Sequence, residues 1–208
     1  MEDYRRLGAR PIYCQMAANP RIYRPYPLPV EFDVTFAGQK YADRPRYIRR
    51  LHEAGVPVRV WGPGWERPPR PHSREQAEHP PMEICAGGLS DEELIRLYSR
   101  SRITLGFSTC GDTDRSERPI KQVRLRDFEA PMCGVFYLVE YMQELEYFYD
   151  IGREIVCYHD AEELVDLCRY YLVHEDERRR IAEAGRRRCL SEHTWARRFE
   201  TIFARLGL

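Results

Sequence analysis

Lys121-x-x-Arg124-x-Arg126-x-x-Glu129 sets three cations and a carboxylate within nine residues, and Gly38-Gln39-Lys40-Tyr41-Ala42-Asp43-Arg44 sets two more cations behind a glycine. Guanidinium forks and ammonium point charges are the side chains that meet phosphate oxygens, so five cations at two chain turns point to a diphosphate site. The plainer reading stays open: glycine after a strand is ordinary turn chemistry, and arginines in a first helical turn are often solvated. Gly62-Pro63-Gly64 is a second glycine turn after a strand. There is no G-x-G-x-x-G fingerprint and no Walker A sequence, which leaves dinucleotide binding and P-loop hydrolysis without support.

These residues need a scaffold that brings several turns to one place, and the chain has its rhythm. Asp33–Gly38 is a short apolar run ending in glycine. Residues 43–55 put Tyr47, Ile48, Leu51 and Ala54 on one helical face before Gly55, and Val56–Trp61 is a second apolar run. Strand, helix and strand over this length make a βαβ unit with parallel strands. The rhythm continues with a strand at 83–85, a helix opened by Ser90-Asp91-Glu92-Glu93 as a capping box, a strand at 102–107, a polar loop at 108–120 and a helix near 123–132. Strands at 135–139 and 154–158 follow, then helices near 160–173, 175–189 and 194–205, with Asp160 as an N-cap. About six strands separated by helices predict a doubly wound, Rossmann-like α/β sheet, whose ligands lie beyond the carboxyl ends of the strands. Residues 1–32, with prolines at 11, 20, 25, 27 and 29, read as an extended lead-in to a single domain over 33–208, and 66–81, with five prolines, as an exposed loop.

Composition narrows the classes. The 208 residues carry 33 basic and 33 acidic side chains, and zero net charge argues against a general polyanion binder, so nucleic acid is not an expected partner. All but two of the cations are arginines, a bias that a GC-rich coding sequence also produces. Seven cysteines without a C-x-x-C pair give neither a zinc site nor a disulfide framework. Without a signal pattern or an apolar run of membrane-spanning length, the expected compartment is the cytoplasm. The arginines at 178–180 and 186–188, interleaved with glutamates, read as a solvated helix face, and His193 as a packing or helix-start residue.

Residues 121–140, KQVRLRDFEAPMCGVFYLVE, resemble the nucleotide-sugar half of group-1 glycosyltransferases of the GT-B architecture. They are most similar to the spore-maturation-like branch, whose R-x-F-E-x-x-x-x-G signature is matched by Arg126, Phe128, Glu129 and Gly134. The stretches Asp33–Gly38 with Arg44, Gly87–Leu105, Glu154–Asp160, Tyr170–Leu172, Ile181–Gly185 and His193-Thr194 extend the resemblance over roughly residues 30–203. It implies a donor site for a nucleoside-diphosphate sugar, with no cofactor and no metal. Glu129 falls on the second glutamate of the family's E-x7-E pattern and so would accept from the ribose hydroxyls. The first glutamate falls at Lys121, which cannot act as a carboxylate but can neutralise a leaving diphosphate. Lys121 and Arg126 are therefore the expected catalytic cations. Gly38, Lys40, Arg44, Gly62, Gly64, Arg124 and Glu129 are the expected substrate-binding set.

The resemblance covers only one half of a GT-B enzyme. Transfer needs both substrates positioned and water excluded, so the expectation is a donor-binding domain that is weakly active or inactive alone. It would be completed by an N-terminal half in a partner chain or a longer protein, or by self-association. The alternative is a non-catalytic nucleotide-binding or scaffold subunit of a heteromeric complex.

Overall fold

The structure, a computed structural model, describes residues 2–110 and 119–208. Six strands, β1 (Phe32–Ala37), β2 (Val58–Trp61), β3 (Cys85–Ala86), β4 (Ser101–Gly106), β5 (Phe136–Glu140) and β6 (Val156–Tyr158), form one sheet in the order β3-β2-β1-β4-β5-β6. Every neighbouring pair is parallel. This is the Rossmann-like α/β architecture expected from the strand–helix rhythm, with the strand order reversing between β1 and β4, where a crevice opens.

Parallel strands are covered on both faces, which is why they read as nearly continuous apolar runs. Along β5, Phe136 and Leu138 join one core layer and Tyr137 and Val139 the other. The first layer holds Ile48 and Leu51 of α2 (Arg44–Glu53) and Leu164, Val165 and Cys168 of α6 (Ala161–Val173). The second holds Leu94, Ile95, Leu97 and Tyr98 of α4 (Asp91–Ser99) with Phe128, Ala130 and Met132 of α5 (Arg126–Met132). Helix α4 begins at the expected capping box, Ser90 Oγ accepting from the Glu93 amide while the Glu93 carboxylate accepts from the Ser90 amide. Asp160 caps α6 by accepting the Glu162 and Glu163 amides, both at 2.9 Å. Helices α7 (Glu175–Glu192) and α8 (Trp195–Leu206) close the chain.

Local differences from the sequence reading have local causes. Glu2–Arg6 forms a one-turn helix, α1, and Arg74–Glu78 another, α3, inside the proline-rich segment, whose His79 and Pro80 are buried. The third strand is displaced to Cys85–Ala86 because Met82–Ile84 winds into a 3-10 turn. The central part of the expected 108–120 loop, residues 111–118, lies outside the described residues. The arginine stripe on α7 is not wholly solvated: Arg178 is buried and donates to the carbonyls of Tyr171 and Leu172, and Arg188 donates to Phe148 O at 3.0 Å. Carbonyls left open at the end of α6 and in the connection between β5 and β6 explain the difference, since a long cation reaches them where an aliphatic residue cannot. His193 is buried as a packing residue. Its Nε2 contacts Phe148 O at 2.8 Å, its ring lies among Phe128, Phe148 and Tyr149, and burial holds its pKa below the usual value.

Candidate functional site

The glycine turns meet at the carboxyl ends of β1 and β2. Gly38 N–H donates to Trp61 O at 2.8 Å, and Gly62 N–H donates to Gly87 O at 2.9 Å. Gly62 has φ of 137°, and a Cβ there would collide with the Gly38 carbonyl, while the Trp65 indole N–H donates to that same carbonyl at 2.7 Å. Only glycine allows this backbone-to-backbone approach. Gly64 has φ of 93°, and the neighbouring Lys40 amide donates to Pro63 O at 3.0 Å. The turns thus border a cavity of about 170 Å³ lined by Gly38, Gln39, Gly62 and Pro63, by Asp91 at the start of α4, and by Arg126.

Arg44, first residue of α2, is 6 % exposed. It donates to Gln39 O at 2.8 Å and to the Tyr41 hydroxyl at 2.6 Å, and its guanidinium lies 3.8 Å from the centre of the Tyr41 ring. Its Nε has no hydrogen-bond partner, and no carboxylate among the described residues pairs with it. Burial, with repulsion from Arg124, lowers its pKa to about 10, which leaves it charged at neutral pH. A buried guanidinium held by π faces and neutral oxygens is a cation whose counter-charge is still to be supplied.

The other cations are engaged within the fold. Arg124 donates to Phe107 O at 2.8 Å and Thr109 O at 2.9 Å, clamping the turn after β4. Lys121 donates to Tyr141 O at 2.8 Å and pairs with Glu140 at 3.0 Å. Arg126 donates to the Tyr98 hydroxyl at 3.0 Å. Glu129 is 4 % exposed, and burial, only partly offset by the nearby Tyr23 hydroxyl and by Arg126, raises its pKa. The structure therefore brings Arg126, Gly38, Gly62 and their turns onto one cavity. Arg44 lies on a second, small one of about 30 Å³ with Thr109 and Glu140, and Lys121 is tied back behind it.

Two carboxylates escaped the sequence reading. Glu140 ends β5 and accepts from the Ser108 and Thr109 amides, both at 2.9 Å, from the Thr109 hydroxyl at 2.6 Å and from Lys121. Burial pushes its pKa up, but these donors outweigh it and hold the group below its ordinary value. An acid closing an otherwise apolar buried strand was the signal for it. Asp127 is 1 % exposed and accepts from the Arg124 amide at 2.7 Å and the Tyr137 hydroxyl at 2.6 Å, fixing the start of α5.

Burial raises Asp127 to about 6 against an ordinary 3.8. A folded-state pKa above the unfolded one means stability that is fully present below about pH 4 and lost as pH rises to about 6. Relative to Asp127→Asn, the wild-type chain is expected to lose on the order of 2 kcal/mol across that window. Denaturant unfolding of both proteins at pH 4, 5, 6 and 7 reads this out, and parallel pH profiles would contradict it.

The signature residues of the α5 segment now have physical roles. Phe128 is fully buried against Phe148 and Tyr149, and Gly134 takes φ of 78° to end the helix, its amide donating to Pro131 O at 2.9 Å. Arg126 and Glu129 supply the polar side.

Known structures share this fold. Sucrose-phosphate synthase from Thermosynechococcus elongatus superposes with a TM-score of 0.65 at 15 % identity, over 99 % of this chain and 56 % of that one. HepE from Anabaena, in complex with UDP-glucose, gives 0.69 at 11 % identity over 92 % of this chain and 56 % of its own. The C-terminal domain of the group-1 glycosyl transferase LpcC from Francisella tularensis gives 0.59 at 8 % identity, over 86 % of this chain and 99 % of that domain. The chain thus spans 56 % of the length of the first two proteins, and its fold is the Rossmann-like fold of GT-B glycosyltransferase domains. Among curated protein sequences none matches it. No helix among the described residues is long and apolar enough to cross a membrane. The profile of the family described as glycosyl transferase-like matches residues 44–204, from the buried arginine at the start of α2 to the last helix, and the chain belongs to that family.

Proposed function

We propose that this chain is the donor-binding half of a glycosyltransferase, holding a nucleoside-diphosphate sugar at the carboxyl edge of β1, β2 and β4. Arg44 carries the reading. It is a buried cation without a carboxylate partner among the described residues, at the N-terminus of a helix whose dipole also favours an anion. In this reading the diphosphate lies between Arg44 and the Gly38–Lys40 turn, with Arg126 facing it from α5. Glu129 takes the ribose, and Gly62 and Gly64 act through backbone shape. Lys121 and Arg124 support the site from behind, Lys121 through Glu140, rather than meeting phosphate directly. The leaving diphosphate is then neutralised by side chains and a helix terminus, with no metal ion invoked. The R-x-F-E-x-x-x-x-G match supports reading the chain as one of the spore-maturation-like branch, and its seven free cysteines suit the reducing cytoplasm.

A second half presents the acceptor. None of the α8 residues is buried, and Trp195, Phe199, Phe203 and Leu206 expose an apolar stripe on successive turns, with ring centres 6.2 and 6.1 Å apart. Such a stripe is a surface made for a partner. Lys121 in place of the first glutamate favours a second reading, a nucleotide-binding subunit without catalysis.

Calorimetric titration with UDP, GDP and ADP tests the proposal. One nucleotide is expected to bind in the micromolar range, displaced by inorganic pyrophosphate. Arg44→Lys, which keeps the charge but loses the fork, should weaken it about tenfold. Absence of binding by all three overturns the donor-site reading.

A further inference from the structure

Arginines gather a second time at the other edge of the sheet. A cavity of about 300 Å³ opens at the amino ends of β4 and β5, and Arg102, Arg178 and Arg179 line it together with Glu175. Strand β4 starts at this cavity with Ser101 and ends at Gly106, so the length of a strand separates it from the donor edge. Arg178 stands apart from its neighbours on α7. It is 5 % exposed, it donates to the carbonyls of Tyr171 and Leu172, and no carboxylate among the described residues pairs with it. Burial, with repulsion from Arg102 and Arg179 and only partly offset by Glu175, lowers its pKa.

The charges around the cavity do not balance. Glu175 pairs with Arg179 at 2.5 Å and lies 3.9 Å from Arg102, whose own partner, Asp33 at 3.0 Å, is outside the lining. Three guanidinia therefore line the cavity against one carboxylate, an excess of two cations. A fourth, Arg186, lies against Gly134 of the same wall, and its Nε is buried without a hydrogen-bond partner. A buried donor of this kind costs free energy unless something meets it. Tyr26 and Val30 of the lead-in, with Val135 and Phe136 at the start of β5, make the apolar part of the wall. The Ser99 and Ser101 hydroxyls already donate to Ile95 O at 3.2 Å and Leu97 O at 2.6 Å, so the cavity offers guanidinia and apolar surface rather than free hydroxyls.

We propose that this cavity is a second anion site, built for a small phosphate monoester with a compact apolar body and held by Arg102 and Arg178. A phosphate monoester carries about −1.5 to −2 charges at neutral pH, which matches the excess of two cations; a monocarboxylate matches half of it. Guanidinium forks meet phosphate oxygens in pairs, and Arg179 keeps the Glu175 carboxylate occupied. The volume stands at the lower end of the roughly 300–1,000 Å³ of small-molecule pockets, more than a bare ion fills, so the organic group of the ester takes the space beside Tyr26 and Phe136. A ligand there ties the lead-in to β4, β5 and α7, four segments far apart in the chain. The site does not depend on the donor-edge reading.

The test is a titration of the chain with phenyl phosphate, benzoate and inorganic phosphate, followed through its backbone amide resonances. Phenyl phosphate is expected to shift the amides of Ser101, Gly134 and Arg179 saturably, and the other two probes to do so more weakly. Arg102→Gln, which lowers the excess from two cations to one, should weaken phenyl phosphate about tenfold, the worth of a hydrogen bond to a charged group. Arg179→Glu lowers the excess to none and releases Glu175, and should abolish saturation. The Arg179 side chain is 71 % exposed, so this variant keeps the test decisive even if Arg102→Gln, at its pair with Asp33, impairs folding. Absence of saturation at the three amides in the wild-type chain overturns the site, as do shifts confined to the Gly38 and Gly62 turns. Unchanged binding by Arg179→Glu removes the guanidinia from it. Benzoate as tight as phenyl phosphate overturns the phosphate class, and inorganic phosphate as tight overturns the apolar body.

Discussion

Replacing Glu129 by alanine is expected to weaken nucleotide binding about ten- to a hundredfold. A charged hydrogen bond contributes about 1.5–3 kcal/mol, and a carboxylate that accepts from both hydroxyls of a ribose makes two. Calorimetric titration of both proteins with the same nucleotide measures the loss directly. Glu129→Gln distinguishes charge from shape, since an amide keeps one acceptor in the same place. No loss on Glu129→Ala would remove Glu129 from the site.

Gly62→Ala is expected to destabilise the fold by about 3 kcal/mol or more. A side chain at φ of 137° is strained in any surroundings, at roughly 1–3 kcal/mol. Here the added Cβ also meets the Gly38 carbonyl, which the Trp65 indole holds in place and which cannot give way without parting β1 from β2 at the site. For a chain of this size that corresponds to a fall in Tm of roughly 6–12 °C. Gly87→Ala is the control, because Gly87 has no neighbour within 4 Å of an added Cβ and no positive φ; it should shift stability by less than about 0.5 kcal/mol. A Gly62 variant as stable as the Gly87 control would show that the two turns relax independently. Nucleotide binding by a folded Gly62 variant should fall as well, since the shape of the cavity wall is the contribution of this residue.

Most of the fold was legible because its signals are local. The capping box at Ser90, the cap at Asp160, the glycine stop at Gly55, and the change between strand and helix periodicity each act within a few residues. Each appears at its expected place or within a few residues of it. The short helices at Glu2–Arg6 and Arg74–Glu78 were not legible, since one turn has too few residues to show a period. For the site, the sequence separated the polar residues of the α5 segment from its apolar ones and located the glycine turns. It also marked Lys121 as a departure from the family pattern.

By itself, then, the sequence determined the architecture, the edge of the sheet at which a ligand would lie and the residue types available there, because strand order and turn chemistry follow from patterns along the chain. Only the tertiary structure decided which of those residues are still free to act. Arg124 and Lys121 are bound to carbonyls and to Glu140, Arg44 is buried without a carboxylate partner among the described residues, and Glu129 is buried. The physical reason is that a polar side chain is committed by whatever donor or acceptor reaches it first in space. In this fold those partners come from other strands and from the turn after β4, at sequence distances over which no local pattern carries information.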